Sequence, residues 1–455
     1  MNENETPKYS ALIRVLPAPL RGRIEHQSSL IAILDNIGWL LIDKVLRMGI
    51  GLIVGAWIAR YLGPEQFGKL GYTLAFVALF QSANSLGMDN IAIREMTRSP
   101  ESTPGILGTV FSLRLVAALL LYIGSLIAIL ILKPNDDVAL FLVSIIAGII
   151  LFQPLESVDL WFQSRLQSRT TVKAKLTAFC LATFLKILFI LTGQPLEAFA
   201  WIVLLEAITA GALLIYSYMK TPSRTKWMID YKRGKAMLSE GGFFLASGIL
   251  LTAYMQVDKI WIEHSKGVIE VSLYIIAATP VTMFFFLPMI ICSSLAPKMA
   301  NLTGDDSRDR FFVKLTSTMF WGTTAIAIVL FMFSDSIIDA LYGPDYQRSA
   351  DLLKILSPML IPAAVSVAND YYSLSSRRSH VTLIRTSAGL GVNVWLNYFL
   401  IEPLGAYGAA ISSLIASLCS NTVIYWVLVP RSYRIFVNAL ILPFANLQIC
   451  KLNSD

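Results

Sequence analysis

Charge is scarce in this 455-residue chain: Asp, Glu, Lys and Arg together make up 15% of it. That is well below the usage of an ordinary soluble domain and argues against a water-exposed surface all round. Histidine is nearly absent. His26, His264 and His380 lie far apart, so no acid/base pair and no histidine metal site is spelled out. The four cysteines, Cys180, Cys292, Cys419 and Cys450, are scattered, three of them in apolar runs. They have neither metal-ligand spacing nor a disulfide framework, and read as buried small side chains.

What the chain has in quantity is hydrocarbon: 55% hydrophobic residues and a mean hydropathy of +0.63. Crossing a bilayer core takes about 20 apolar residues. Such runs recur at roughly 37–60, 69–88, 107–132, 138–156, 176–193, 197–218, 241–263, 271–295, 315–334, 353–375, 383–402 and 405–429. Backbone groups in lipid must bond internally, so runs of this length are helices. The fold class is an all-α polytopic membrane protein of about twelve spans. A polar lead-in, 1–36, precedes them and is too long and polar for a cleaved signal peptide. A basic linker, 219–240, divides a six-helix set at 37–218 from a second at 241–430, and a tail covers 431–455.

The basic residues orient the spans. With the N-terminus inside, 26 Lys and Arg fall in cytoplasmic segments and 5 in outer loops. Both termini are therefore expected in the cytoplasm. The net charge of +7 needs no nucleic acid to explain it.

One stretch imitates a phosphate loop. In "GPEQFGKL" Gly63, Gly68 and Lys69 fit G-x-x-x-x-G-K-[ST], but Leu70 stands where the hydroxyl belongs. It joins two hydrophobic helices on the outer side, so it reads as a turn and implies no ATP. Sliding the chain by 204 residues aligns "WIARYLG" (57–63) with "WIEHSKG" (261–267), matching Trp57 with Trp261, Ile58 with Ile262 and Gly63 with Gly267. Both stretches end the first helix of a six-helix set, as a repeated half would.

Ionisable residues inside spans cost a few kcal/mol on insertion scales and mark pathways or partners. Asp43 and Arg47, four apart, share a helix face beside Lys44. Two readings stand: mutual neutralisation near the inner surface, or Lys44 and Arg47 attracting an anionic substrate. Arg114 and Lys186 lie deeper with no acidic residue one turn away, and Glu206 is a partner for either or a proton site. Lys354 reads as snorkelling from a helix end. Asp258 and Lys259 are adjacent and so point about 100° apart. Asp370, beside Asn369, is either a cation or proton site or part of a polar helix end. Trp161, Tyr254, Tyr274, Tyr371 and Tyr372 could stack on sugar rings, though interface belts account for most membrane aromatics.

Four stretches carry a resemblance: "ARYLGPEQFGKLGYTLAF" (59–76), "LGMDNIAIREMTR" (86–98), "YMQVDKIWI" (254–262) and "GAYGAAISSLIAS" (405–417). With the twelve spans, they make the chain resemble, over about 35–430, the oligosaccharide flippases of the polysaccharide-transport family. These are O-antigen repeat-unit flippases of bacterial inner membranes, in the superfamily of multidrug-and-toxin exporters and murein-precursor flippases. The resemblance implies two six-helix lobes around a central cavity and alternating access, with no cofactor. The implied cargo is undecaprenyl-diphosphate-linked oligosaccharide, moved to the outer leaflet, with other polysaccharide-assembly membrane proteins as further partners. It assigns Arg47, Arg114, Lys186, Lys259 and Lys44 to the diphosphate or acidic sugars. Asp43, Asp258, Glu206 and Asp370 remain for pairing or ion coupling. A membrane polymerase or ligase, which would need a large outer catalytic loop, and an exporter of small cations are the rival readings.

Overall fold

The computed structural model describes residues 28–452 apart from 223, 301–304 and 376–379. The first 27 residues of the lead-in, with His26, lie outside the described residues, as do Arg377 and Arg378 and the side chains of Lys298, His380, Cys450 and Lys451. Among the described residues every regular element is a helix. Nine helical stretches are long and apolar enough to cross a membrane: Pro100–Leu132, Asp137–Ser164, Ser168–Leu191, Leu196–Met219, Tyr231–Lys266, Val268–Ser293, Asp306–Met332, Arg348–Ser373 and Ala406–Leu428. The other three expected spans lie in the helix Ser28–Ala83, which is kinked at Gly63, and in the helix His380–Leu404. Large apolar side chains stand open along these helices, among them Leu120, Ile131, Trp395 and Val427, each more than 60% exposed. Water would penalise such a surface, whereas lipid covers it.

The chain forms two compact units. One comprises Phe80–Ala246 with the described residues up to Val54; the other comprises Gly55–Leu79 with the chain from Ser247 on. The crossings fall inside helices, at Val54/Gly55 and Leu79/Phe80 in Ser28–Ala83 and at Ala246/Ser247 in Tyr231–Lys266.

In the first unit, Ser168–Leu191 packs along Leu196–Met219, and Thr103–Leu132 lies against Asp137–Ile146. The short helix Asp89–Arg98 buries Ile91, Ala92 and Met96 and turns Arg94 outward, where it grips Glu240 with two hydrogen bonds of 2.7 and 2.8 Å. Trp161 is fully buried between Phe162 and Tyr218, edge to face with both. The basic linker is strapped down rather than loose. Met228 donates its backbone N–H to Pro104 at 3.0 Å and Asp230 donates to Thr109 Oγ1 at 2.8 Å before the next helix starts at Tyr231.

In the second unit, His380–Leu404 packs along Ala406–Leu418, and Asp305–Met332 along Leu360–Ser375. The connection near 335–352 is itself largely helical, Ser334–Tyr342 and Arg348–Leu356. Arg60 donates to the carbonyls of Asp339 and Ala340, at 2.9 and 2.8 Å, closing the end of Ser334–Tyr342. Cationic side chains suit that end of a helix.

Both glycines of the phosphate-loop imitation have a structural role. Gly63 has φ 71° and ψ 172°, a conformation costly for any residue with a Cβ. A Cβ on Gly68 would stand 2.0 Å from the Val268 carbonyl oxygen. Lys69 is held by Glu65 at 2.7 Å, and its hydrogen bond keeps the Glu65 carboxyl below its usual range. Gly267, the residue aligned with Gly63, has nearly the same conformation, φ 83° and ψ 177°. Of the cysteines, Cys292 is buried, Cys419 half-buried and Cys180 exposed. The expectation of burial thus fails at Cys180, on a helix whose outer side needs only to be apolar, not covered by protein.

Candidate functional site

Four of the intramembrane charges come together in the first unit. Arg47 Nε donates to Asp43 Oδ1 at 2.7 Å, one helical turn away. Glu206 stands with Oε1 3.6 Å from Arg47 Nη1 and Oε2 3.5 Å from Lys186 Nζ. These last two contacts are too long for good hydrogen bonds. Arg47 also lies over the Phe179 ring at 5.1 Å, and its Nη2 is buried without a partner among the described residues. The cluster is balanced in charge but not in donors: N–H groups remain for a further acceptor. Lys44 is exposed beside it.

Arg114 is elsewhere in the unit and almost wholly buried. Its Nη2 makes an ion pair with Asp89, at the start of the short helix Asp89–Arg98, and lies 3.5 Å from the Ser85 carbonyl. No acidic residue was visible one turn away because the partner comes from a different helix. Lys175 meets Asp159 at 2.5 Å and Glu156 at 4.0 Å. Sequence reasoning missed this cluster.

In the second unit the buried carboxylate of Asp258 is fully engaged. Oδ1 accepts from Asn397 Nδ2 at 2.7 Å, while Oδ2 accepts from Tyr274 OH at 2.7 Å and from the Ser413 hydroxyl. Asn393 adjoins, 3.1 Å from Asn397. Lys259 turns away to Gln256, 2.6 Å from its Oε1, as neighbours on a helix must diverge. The polar positions Asn393, Asn397 and Ser413 were legible as i, i+4 and small polar residues in apolar helices, a pattern of interhelical bonding. An amide N–H and two hydroxyls thus donate to Asp258, a network that satisfies a buried carboxylate. No group of three or more His, Cys, Asp or Glu stands together among the described residues.

Asp370 places both carboxylate oxygens 2.8 Å from Arg385 Nη2 and accepts from Thr382 at 2.9 Å. Arg385 is buried in the helix His380–Leu404 and also donates to Asn421. A desolvated guanidinium needs such partners. Lys354 meets Asp335 at 3.0 Å and Asp351 at 3.1 Å in an exposed group. Of the aromatics, Trp161 and Tyr372 are core side chains, Tyr274 serves Asp258, and Tyr254 lines a cavity.

The chain matches the polysaccharide biosynthesis protein family over residues 33–303 and the MatE family over 245–399. A protein of Shigella flexneri named "Putative O-antigen transporter" is 21% identical over 410 residues, covering 87% of this chain and 97% of that one. Among solved structures, the lipid II flippase MurJ in an inward closed conformation superposes with a TM-score of 0.71 at 15% identity, covering 89% of this chain and 91% of the other. An inward-facing multidrug resistance MATE family transporter gives 0.66 at 14% identity, covering 86% and 95%. At these identities the structural likeness is one of fold.

Proposed function

The chain belongs to the polysaccharide biosynthesis protein family, and on that premise we propose that it is a flippase for lipid-linked oligosaccharide. The match over residues 33–303, joined to the nine membrane-crossing helical stretches among the described residues, is the observation that carries this reading. The named O-antigen transporter and the lipid II flippase agree with a cargo of sugar on a lipid pyrophosphate. The substrate is an undecaprenyl-diphosphate-linked repeat unit, taken from the cytoplasmic to the outer leaflet of a bacterial inner membrane. The basic residues of the sequence favour both termini inside. Transport is by alternating access, with six-helix lobes at 37–218 and 241–430.

The work assigned to side chains follows from their pairing. Arg47 and Lys186 stand 3.5–3.6 Å from Glu206, loose enough to exchange it for phosphate. Lys44, Arg114 and Lys259 add positive potential along the path. Asp258, held by Asn397, Tyr274 and Ser413, is the residue for coupling to a proton or cation. Asp43, Glu206 and Asp370 serve as pairing partners. Nothing in this scheme requires bond making, cofactor or ATP.

The test is translocation in proteoliposomes carrying a fluorescent undecaprenyl-diphosphate oligosaccharide, with a membrane-impermeant quencher outside. The expected result is a protein-dependent rise in the fraction of lipid changing leaflet. If a small organic cation moves under an ion gradient while the lipid stays in place, the exporter reading replaces this one.

A further inference from the structure

A cavity of about 230 Å³ lies within the second unit, separate from the charge cluster of the first. A cavity of about 150 Å³ takes up benzene, so this one has room for a six-membered ring with substituents. Its lining combines two chemistries. One is apolar and adaptable, built from Tyr254, Phe285 and the methionines Met255, Met289 and Met359. Methionine thioethers conform to irregular shapes. The other is polar, from Ser366, Thr386, Ser417, Ser420 and Asn421 with the Asp370–Arg385 pair.

The polar side is built. Residues Cys419–Ile424 form a π-helical turn, a device that frees backbone groups and recurs at functional sites. Here the turn presents Ser420 and Asn421 to the cavity. The Asn421 carbonyl accepts from Asn369 at 3.3 Å, the Asn421 side chain accepts from Arg385 and donates to Ser417 at 3.0 Å, and Ser420 donates to the Arg385 carbonyl at 2.9 Å. Arg385 has a side chain only 7% exposed, and its Nε is buried without a partner among the described residues. A buried donor of this kind is costly unless something accepts from it.

The charge of this wall is cancelled internally, because Asp370 gives both oxygens to Arg385. A diphosphate would find no free cation there, and an organic cation no free carboxylate. The complementary ligand is uncharged, has one apolar face, and presents several hydroxyl or amide groups on the other. From these features we propose that the cavity binds one uncharged sugar ring of the transported oligosaccharide, its C–H face on Tyr254, Phe285 and the methionines and its hydroxyl edge on Asn421, Ser417 and Arg385. This rests on the flippase reading and adds to it a place where sugar identity is read.

The test uses the full chain in nanodiscs and saturation-transfer NMR with methyl glycosides of three neutral classes, a hexose, a 6-deoxyhexose and an N-acetylhexosamine, against a uronate and a hexosamine. We expect transfer to at least one neutral ring, its loss in Ala363→Phe, which fills the cavity from the Leu360–Ser375 helix, and its retention in Lys232→Gln on the exposed surface. Binding confined to charged rings, or neutral binding that Ala363→Phe leaves intact, overturns the proposal, as does absence of transfer from all three neutral classes. Translocation separates the two claims. A wild-type protein that moves no lipid-linked sugar removes the flippase reading. One that moves such lipids at the same rate as folded Ala363→Phe, with the same preference among sugars, removes only the subsite.

Discussion

Lys186 and Glu206 face one another across two packed helices, Nζ 3.5 Å from Oε2, and the second oxygen of the same carboxylate faces Arg47 at 3.6 Å. Each charge is half-buried, so removing one member leaves a partner poorly compensated. Lys186→Ala and Glu206→Gln should each lower thermal stability, and the double variant should recover part of the loss, with a coupling of about 0.5–3 kcal/mol. Export distinguishes structure from substrate contact. If Lys186 meets phosphate, the double variant regains stability yet stays inactive. If the pair only holds helices together, stability and export recover in step.

Arg114 and Asp89 make a lopsided pair. The guanidinium side chain is 4% exposed and the carboxylate 46%. Removing the carboxylate should therefore hurt more than removing the cation. Asp89→Asn leaves a buried charge against a neutral amide, a loss on the scale of about 3–5 kcal/mol for broken buried pairs. Arg114→Met keeps much of the volume and leaves Asp89 to water, so its melting temperature in detergent should fall less. Export is expected to be lost in Arg114→Met even so. Equal destabilisation by the two substitutions would contradict the asymmetry, and normal export in a folded Arg114→Met would remove Arg114 from the path.

The spans were legible because a bilayer imposes one length and one polarity on every crossing helix, and the described helices cover all twelve expected segments. The turns were legible in part: Gly63 and Gly267, aligned by a short repeat, share one backbone conformation. Charge partners were not. Asp43 and Arg47 pair within one helix, so their spacing announces the contact. Arg114 with Asp89, and Lys175 with Asp159, lie 25 and 16 residues apart on different helices, where only packing brings them together. The pairing of Arg385 was hidden for a related reason. Near a span's edge, hydropathy cannot separate a wet arginine from one neutralised by a neighbour such as Asp370.

Asp258 should control the response to ion gradients. Asparagine at 258 can still accept from Asn397, and the Tyr274 and Ser413 hydroxyls can turn to accept from its new amide. Asp258→Asn is thus expected to fold and reach the membrane. In proteoliposomes a proton or sodium gradient should accelerate translocation by the wild type and leave the variant at the rate without a gradient. An equal gradient response in both proteins would take coupling away from this carboxylate.

The crossing points between the units lie inside helices, and glycines flank the first of them. Gly49, Gly51 and Gly55 precede or adjoin the Val54/Gly55 boundary, and a Cβ at any of the three would meet nothing within 4 Å. Alanine therefore fits without a clash, and in a helix interior it is favoured over glycine by about 1 kcal/mol. Packing gives no reason for glycine here; bending of this helix during the proposed transport cycle does. Gly51→Ala and Gly55→Ala should be as stable as the parent or slightly more so, yet translocate several-fold more slowly, with the double variant slower still. The measurement is the leaflet-exchange rate alongside a melting curve for each protein. A stabilised variant that keeps the parental rate would show that this helix does not bend during transport.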